Sequence, residues 1–111
     1  MTDCVFCQII AGDAPAQIDY EWPDAIEIVP LNPVVPGHRL IIPKMHVVDF
    51  ADDPVTTGMV FAHAAKAAKH VPANLITSAG AEATQTVFHM HVHVIPRFEG
   101  DTVSLPWDVR G

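Results

Sequence analysis

Three histidines alternate with apolar residues in the segment Phe88–Arg97, which reads Phe-His-Met-His-Val-His-Val-Ile-Pro-Arg. Successive side chains of a β-strand point to opposite faces of the sheet. An extended segment would therefore place His89, His91 and His93 on one face, about 7 Å apart along the chain, with the apolar residues between them on the other. We predict a strand over residues 87–95 that carries a row of imidazoles.

This row of imidazoles favours chemistry over packing. A single histidine on a strand is usually a surface residue or a core residue whose ring is hydrogen-bonded. Three in strict alternation are harder to explain in that way, because imidazole serves as a nucleophile, as a proton donor or acceptor near neutral pH, and as a metal ligand. The pattern therefore indicates catalysis or metal binding.

Composition limits the class of protein and its partners. At 111 residues the chain has the size of one domain. It has no apolar run of the roughly 18–20 residues that a membrane span needs, and its first residues do not resemble a secretory signal, so we expect a cytoplasmic protein without a membrane partner. Six Lys and Arg against thirteen Asp and Glu give a net charge of −7, which disfavours a nucleic-acid polymer but not a mononucleotide.

Ten prolines divide the chain into short elements rather than marking a linker. Asp53 and Pro54 are typical of a helix N-cap and first helical residue, and apolar residues then recur at helical spacing up to Val71-Pro72. The predicted elements are a short N-terminal helix over residues 4–11, one longer helix over 54–70, and strands over 25–29, 39–42, 74–77 and 87–95. Because strands outnumber helices and hairpin-like connections dominate, we predict an α+β fold with a mainly antiparallel sheet of about five strands.

Both cysteines lie at the chain start, in Cys4-Val5-Phe6-Cys7. A reducing cytoplasm disfavours a disulfide, which leaves metal binding, redox chemistry or packing. A redox pair usually opens a helix after a strand, whereas this pair encloses two apolar residues near the N-terminus. Metal binding and packing are the alternatives that remain.

The segment His-Met-His-Val-His-Val-Ile fits the pattern His-φ-His-φ-His-φ-φ, where φ is apolar, of the histidine triad family. Further blocks of this chain match the same family in order along the sequence. They are Cys4–Ile10, Pro33–His38, Ile42–His46 and Gln85–Val87. The chain therefore resembles histidine triad proteins over nearly its whole length, as a single domain over residues 1–111 with residues 97–111 as a C-terminal tail.

This resemblance implies a nucleotidyl hydrolase or transferase that acts at the α-phosphate of a nucleoside phosphoramidate or of a dinucleoside polyphosphate. His91 corresponds to a nucleophile that forms a covalent nucleotidyl-histidine intermediate. His93 would contact the same phosphate, and His38 would orient the triad. Splitting one displacement into two steps suits imidazole, because the neutral ring attacks without prior deprotonation.

The resemblance also implies a site for a purine nucleotide or nucleotide conjugate. Backbone and side-chain groups around Gln85 and Thr86 match a phosphate-cradling segment. Ser78 stands where relatives often carry Asn or Gln toward a phosphate, and Asn32 is a substitute, at a different register, for the residue that binds the ribose. Five apolar residues fall where related proteins build the pocket for the base, although apolar residues at such spacing are usually core. These residues are Val5, Phe6, Ile9, Ile28 and Leu31. Pro30 occupies the position where relatives often carry Asp or Asn toward the ribose.

Related proteins with a Cys-x-x-Cys pair complete a tetrahedral zinc site with two histidines. The matching residues here are Cys4, Cys7, His46 and His89. Four ligands of this kind leave no open position, so the zinc would be structural. The resemblance further implies a homodimer with the tail near the partner's site.

Two other interpretations remain open. The chain could be a nucleotide-binding or scaffold protein with little turnover, which predicts tight nucleotide binding without a covalent adduct. Its histidines and cysteines could instead form a metal-sensing or storage surface, which predicts more than one tightly bound metal ion per chain.

Overall fold

The structure is a computed structural model, and it describes residues 3–108. Its elements in chain order are α1 (Val5–Ala11), β1 (Gln17–Glu21), β2 (Ala25–Val29), β3 (Arg39–Pro43), α2 (Pro54–Ala67), β4 (Ala73–Ile76), a 3-10 turn (Ala81–Ala83) and β5 (Val92–Pro96). The strands form one five-stranded sheet in the order β1-β2-β3-β5-β4, and every neighbouring pair is antiparallel. The predicted α+β fold with a short and a longer helix is confirmed.

Capping residues mark the start of each helix and the end of α1. Asp53 precedes α2, and its carboxylate accepts hydrogen bonds from the backbone N–H groups of Val55 and Thr56, which satisfies donors that a helix start leaves open. Cys4 caps α1 in the same way through Cys7 N–H. Gly12 ends α1 with φ 84°, a left-handed conformation that costs glycine little.

Strand alternation sends apolar side chains to both faces of the sheet. On one face, Ile41 and Val92 pack with Val60 and Ala64 of α2. On the other, strand residues pack beneath α1 in a second cluster, whose members are Phe6, Ile9, Ile26, Ile28, Leu40 and Ile42. Helices therefore cover both faces of the central strands, and the α1 side is the one that carries the site described below.

Strand register places His93 beside the apolar cluster that packs against α1. Ile28 of β2 pairs with Leu40 of β3, and Leu40 pairs in turn with His93 of β5. Side chains directly opposite each other in neighbouring strands lie on the same face of the sheet. Ile28, Leu40 and His93 thus form one cross-strand row.

The structure corrects the predicted extents of two elements and adds a strand whose position was not predicted. Strand β5 begins at Val92 rather than at residue 87, because the segment before it binds another partner: Met90 N–H donates to the carbonyl of Val47 at 2.7 Å. Helix α2 ends at Ala67, before the predicted residue 70, and His70 adopts φ 78° in the turn that follows. Strand β1 is not among the individual strands predicted from the sequence: Ile18 and Tyr20 alternate with polar residues, but the pattern holds only two apolar residues and all five residues of the strand are exposed.

The residues after β5 are fastened to the sheet by Arg97. Its guanidinium donates to both carboxylate oxygens of Asp101 at 2.9 Å, to the side chain of Asn74 at 2.8 Å and to the carbonyl of Val103 at 2.9 Å. Trp107, farther along, is 75% exposed. Positions 109–111 of the predicted tail lie outside the described residues, as do positions 1–2. Within residues 3–108, neither helix has the length and apolar content required to cross a bilayer.

Candidate active site

A cavity of about 650 Å³ opens between α1, the ends of β1 and β2, and the segment that leads into β5. Such a volume is typical of small-molecule sites. The structure brings most of the predicted nucleotide-site residues to its wall. These are Val5, Phe6, Ile9, Ile28, Leu31, Asn32, Thr86, His91 and His93. The apolar residues of α1 and β2 and the two histidines of the β5 segment thus face one space.

Hydrogen bonding fixes which nitrogen of His91 carries the proton. His91 Nδ1 lies 2.8 Å from the carbonyl oxygen of His89. Because a carbonyl only accepts, Nδ1 must be the protonated nitrogen, and the lone pair resides on Nε2. Burial lowers the pKa of His91 below its usual 6.5, against the opposing effect of that hydrogen bond. His91 is therefore a neutral imidazole with an unshared pair on Nε2, the form that attacks an electrophile.

A relay of hydrogen bonds orients His93 in the opposite sense. Val34 N–H donates to His38 Nδ1 at 3.1 Å, so neutral His38 carries its proton on Nε2. That Nε2 lies 3.0 Å from His93 Nδ1, which accepts the hydrogen bond and leaves the His93 proton on Nε2. His93 thus presents an N–H donor, whereas His91 presents a lone pair.

Both residues of this relay are held neutral. The pKa of His93 is lowered to about 4, first by burial and then by the neighbouring His91 and His38 rings. Burial, followed by the charge of Arg39, lowers the pKa of His38. At neutral pH the relay therefore acts as a set of directed hydrogen bonds without net charge.

Four predicted metal ligands come together at the N-terminus of α1. Cys4 Sγ lies 3.3 Å from His89 Nδ1, Cys7 Sγ lies 3.2 Å from His46 Nδ1, and the two Nδ1 atoms are 3.1 Å apart. All four ligand atoms fall within 4.8 Å of one another. A tetrahedral site with bonds of about 2.0–2.3 Å separates its ligand atoms by about 3.3–3.8 Å, so the residues present fit a small tetrahedral metal ion.

The second nitrogen of His89 supports the same assignment. His89 Nε2 lies 2.7 Å from the carbonyl oxygen of Pro43, so it carries the proton, and the lone pair on Nδ1 faces the two sulfurs and His46. A ligating histidine that donates its other N–H to a carbonyl is the usual arrangement in metal sites. Burial, followed by the neighbouring Cys4, raises the pKa of the Cys7 thiol, so a cation would be needed to hold Cys7 as a thiolate near neutral pH.

Two predicted polar residues are not among the residues that line the cavity. Gln85 is buried, and its side chain donates to the carbonyls of Val48 and Val87 while accepting from Gly80 N–H. It therefore braces the loops on either side of the 3-10 turn. Ser78 is half-buried outside the lining. Whether either residue assists phosphate binding stays a prediction.

The cavity also contains residues that the sequence did not predict as nucleotide contacts. They are Pro15, Ala16, Gln17, Val29, Pro30, Leu40, Thr84 and Val87. Leu40 could have been placed here only with the antiparallel register in hand, because it pairs with Ile28 and is buried on the same face of the sheet. Residues 15–17 lead into β1 and carry no apolar pattern that could have revealed it.

Comparison with known proteins decides the family. The HIT domain family matches residues 11–100 of this chain. The chain belongs to the HIT domain family. An uncharacterized HIT-like protein of Mycobacterium tuberculosis is 44% identical over 110 residues, covering 92% of this chain and 76% of the relative.

Two further HIT relatives bear on chemistry. A zinc-bound histidine triad family protein from Mycobacterium smegmatis superimposes with a TM-score of 0.81 at 41% identity, covering 97% of this chain and 84% of that one. An adenylylsulfatase of Arabidopsis thaliana is 37% identical over 107 residues, covering 89% of this chain and 54% of the relative. Among proteins similar to this HIT chain, a solved structure is thus described as zinc-bound and a relative is named an adenylylsulfatase.

Proposed function

We propose that this protein is a nucleotidyl hydrolase or transferase that acts at the α-phosphate of a purine nucleotide conjugate, through a covalent intermediate on His91. The proposal rests chiefly on the tautomer of His91. Its proton is held on Nδ1 by the carbonyl of His89, so the unshared pair is on Nε2 of a residue that lines the cavity. The Arabidopsis relative's name supports the class of reaction, because an adenylylsulfatase cleaves an adenylyl group from its leaving group.

In the first step, His91 Nε2 forms a bond to the α-phosphorus and the bond to the leaving group breaks. The leaving group departs with the bonding electron pair and takes a proton from water in the open part of the cavity. The His91 ring, now bonded to phosphorus through Nε2 and protonated on Nδ1, carries a positive charge that the carbonyl of His89 stabilises. His93 Nε2–H is a donor suited to a non-bridging phosphate oxygen.

In the second step, water or another acceptor bonds to phosphorus. The bond to His91 breaks, its electron pair returns to Nε2, and the proton of the attacking water is released to solvent. With water the product is a nucleoside monophosphate. Two steps at one phosphorus lower each barrier, which is the advantage of a covalent intermediate.

We further propose a structural zinc ion held by Cys4, Cys7, His46 and His89. Two thiolates and two imidazoles form a closed set, so the metal would stabilise the fold without activating water. The same four residues link α1 to the segment that precedes β5. Zinc would thereby fix the helix whose side chains Phe6 and Ile9 form one wall of the cavity.

Adenosine and guanosine phosphoramidates, diadenosine polyphosphates and adenylyl sulfate test the proposed reaction. Release of the nucleoside monophosphate should be measured for each, and rapidly quenched protein should be analysed for a nucleotidyl adduct on the peptide that contains His91. We expect turnover of at least one conjugate and an adduct on His91. Tight nucleotide binding with neither turnover nor adduct would instead support the nucleotide-binding scaffold.

The homodimer implied by the resemblance and the cytoplasmic location expected from the sequence are also proposals. Strand β4 is an edge of the sheet, and its four residues are half-buried in the isolated chain. An edge of this kind presents unpaired backbone groups to a second chain. Light scattering on the eluting protein should give twice the chain mass if the dimer forms.

A further inference from the structure

The cavity proposed to bind the nucleotide has no charged side chain among its described lining residues. None of them is Asp, Glu, Lys or Arg. Apart from the two histidines, its polar side chains belong to Gln17, Asn32, Thr84 and Thr86. In any orientation within this cavity, a nucleoside would therefore meet no charged side chain from the described lining residues.

The sugar of a ribonucleotide presents two adjacent hydroxyl groups, and both are hydrogen-bond donors. A carboxylate accepts from such a pair through charge-assisted bonds, which are about twice as strong as neutral ones. A neutral amide, hydroxyl or backbone carbonyl contributes a net preference of about tenfold or less for one hydroxyl. A wall without carboxylates therefore limits how strongly the protein can select for the 2′-hydroxyl.

The neutral polar groups in the wall can accept a hydrogen bond only through uncharged oxygens. Gln17 donates through its amide nitrogen to Asp19 at 3.4 Å, and the Thr84 hydroxyl donates to the carbonyl of Ala83, so each keeps a neutral oxygen that can accept. Pro30, just after β2, has no side-chain acceptor. Asn32, which is exposed, provides the amide nearest to that strand end in sequence.

The remaining wall is suited to an aromatic base. Phe6, Ile9, Ile28 and Leu40 are buried and line the same cavity. Apolar burial gives a binding contribution that grows with contact area and does not depend on sugar hydroxyls. The described wall therefore offers the base an apolar surface and the phosphate a histidine donor, whereas the sugar finds only neutral polar groups.

We infer that this protein recognises its substrate through the base and the α-phosphate and does not discriminate ribonucleotide from 2′-deoxyribonucleotide conjugates. The inference rests on the proposed function for the identity of the ligand. It predicts that the two classes differ by less than about tenfold in kcat/KM, which corresponds to about 1.4 kcal/mol.

The test compares adenosine 5′-phosphoramidate with 2′-deoxyadenosine 5′-phosphoramidate by kcat/KM, and AMP with dAMP by calorimetric Kd, on the same full-length protein. We expect both ratios to lie below about tenfold and to approach one in Asn32→Ala, which removes an exposed amide from the wall. A preference above tenfold for the ribonucleotide in either measurement would overturn the inference.

The kinetic and the binding measurements together distinguish failure of this inference from failure of the proposed reaction. Absence of turnover with both phosphoramidates, accompanied by equal binding of AMP and dAMP, would contradict the reaction and support the inference. Turnover that is fast for the ribonucleotide and more than tenfold slower for the deoxyribonucleotide would support the reaction and overturn the inference. Failure of both AMP and dAMP to bind at millimolar concentration would overturn both.

Discussion

His89 and His91 are two residues apart, yet the structure gives them opposite orientations and different partners. His89 donates its Nε2–H to the carbonyl of Pro43 and turns Nδ1 toward the two cysteines. His91 donates its Nδ1–H to the carbonyl of His89 itself and keeps the lone pair on Nε2. One backbone acceptor for each ring therefore assigns one histidine to the metal-ligand cluster and the other to the cavity.

The role of each histidine therefore depends less on its position in the segment than on the backbone carbonyl to which its ring donates. A nitrogen that binds metal cannot also attack phosphorus, so the two regions cannot exchange roles without exchanging tautomers. Removal of a residue from the cavity side should change the rate, whereas removal of a residue from the cluster should change stability.

Replacement of His91 by alanine should lower kcat by about 10⁴-fold or more, because the attacking nitrogen is lost. The fold and nucleotide binding should persist, since the apolar wall is unchanged. His70→Ala is the matched control, because His70 is exposed in a turn outside the cavity. Retention of more than about one hundredth of wild-type kcat in His91→Ala would require another nucleophile.

Loss of the metal should lower stability by several kcal/mol, seen as a fall of more than about 10 °C in Tm. This fall in Tm should appear both in the Cys4→Ser, Cys7→Ser double variant and after gentle chelation of the wild type. The kcat of the still-folded fraction should stay within about threefold of the wild-type value. Elemental analysis should find one zinc per chain in untreated protein. Restoration of Tm after zinc is returned to the chelated protein is the control.

An immediate loss of kcat at unchanged Tm would contradict this account, because the zinc would then belong to the chemistry. More than one tightly bound metal ion per chain would favour the metal-storage interpretation instead.

Acid should destabilise the protein partly through His93. Its pKa is about 4 in the fold, against an ordinary value of 6.5, so between these values the unfolded chain binds more protons. The free energy of unfolding should therefore fall as pH decreases from 6.5 to 4, with His93 contributing about 2–3 kcal/mol of the loss. Urea unfolding at a series of pH values should show a weaker dependence in His93→Asn than in wild type. An identical slope in both proteins, with His70→Asn as reference, would contradict the burial of His93.

Removal of the orienting ring should have the smallest effect. His38→Ala deletes the Nε2–H that His93 Nδ1 accepts, so His93 can adopt either tautomer and kcat should fall by about tenfold, or about 1.4 kcal/mol. KM should change little. His38→Gln, whose amide offers an N–H at a similar reach, should recover part of the rate. Equal losses in both variants would mean that His38 acts through packing alone.

Much of this site could be predicted from the sequence because the residue types are rare and closely spaced. The histidine alternation and the Cys-x-x-Cys pair singled out the triad histidines and both cysteines, whereas His38, His46 and the apolar pocket residues came from the resemblance to histidine triad proteins. The fold class followed from the strand pattern. The prediction that one strand carries all three histidines was wrong, however. Only His93 lies in β5, while His89 and His91 precede it.

The features that divide the two regions could not be obtained from local pattern. The acceptor of His89 lies 46 residues away at Pro43, and the relay through His38 joins positions 55 residues apart in sequence. Both depend on the register of β3 against β5. Strand β1, which borders the cavity, is exposed along its whole length, and its alternation rests on Ile18 and Tyr20 alone, so hydrophobic periodicity gave only a weak signal for it.

The tautomers of the histidines provide the most direct test of the division between the two regions. Long-range ¹H–¹⁵N correlation spectra of uniformly labelled, metal-loaded protein near pH 7.5 report which nitrogen of each neutral ring carries the proton. We predict protonation on Nδ1 for His91 and on Nε2 for His89 and His93. A His91 ring protonated on Nε2, or one charged at this pH, would leave no lone pair directed to the cavity and would contradict the account.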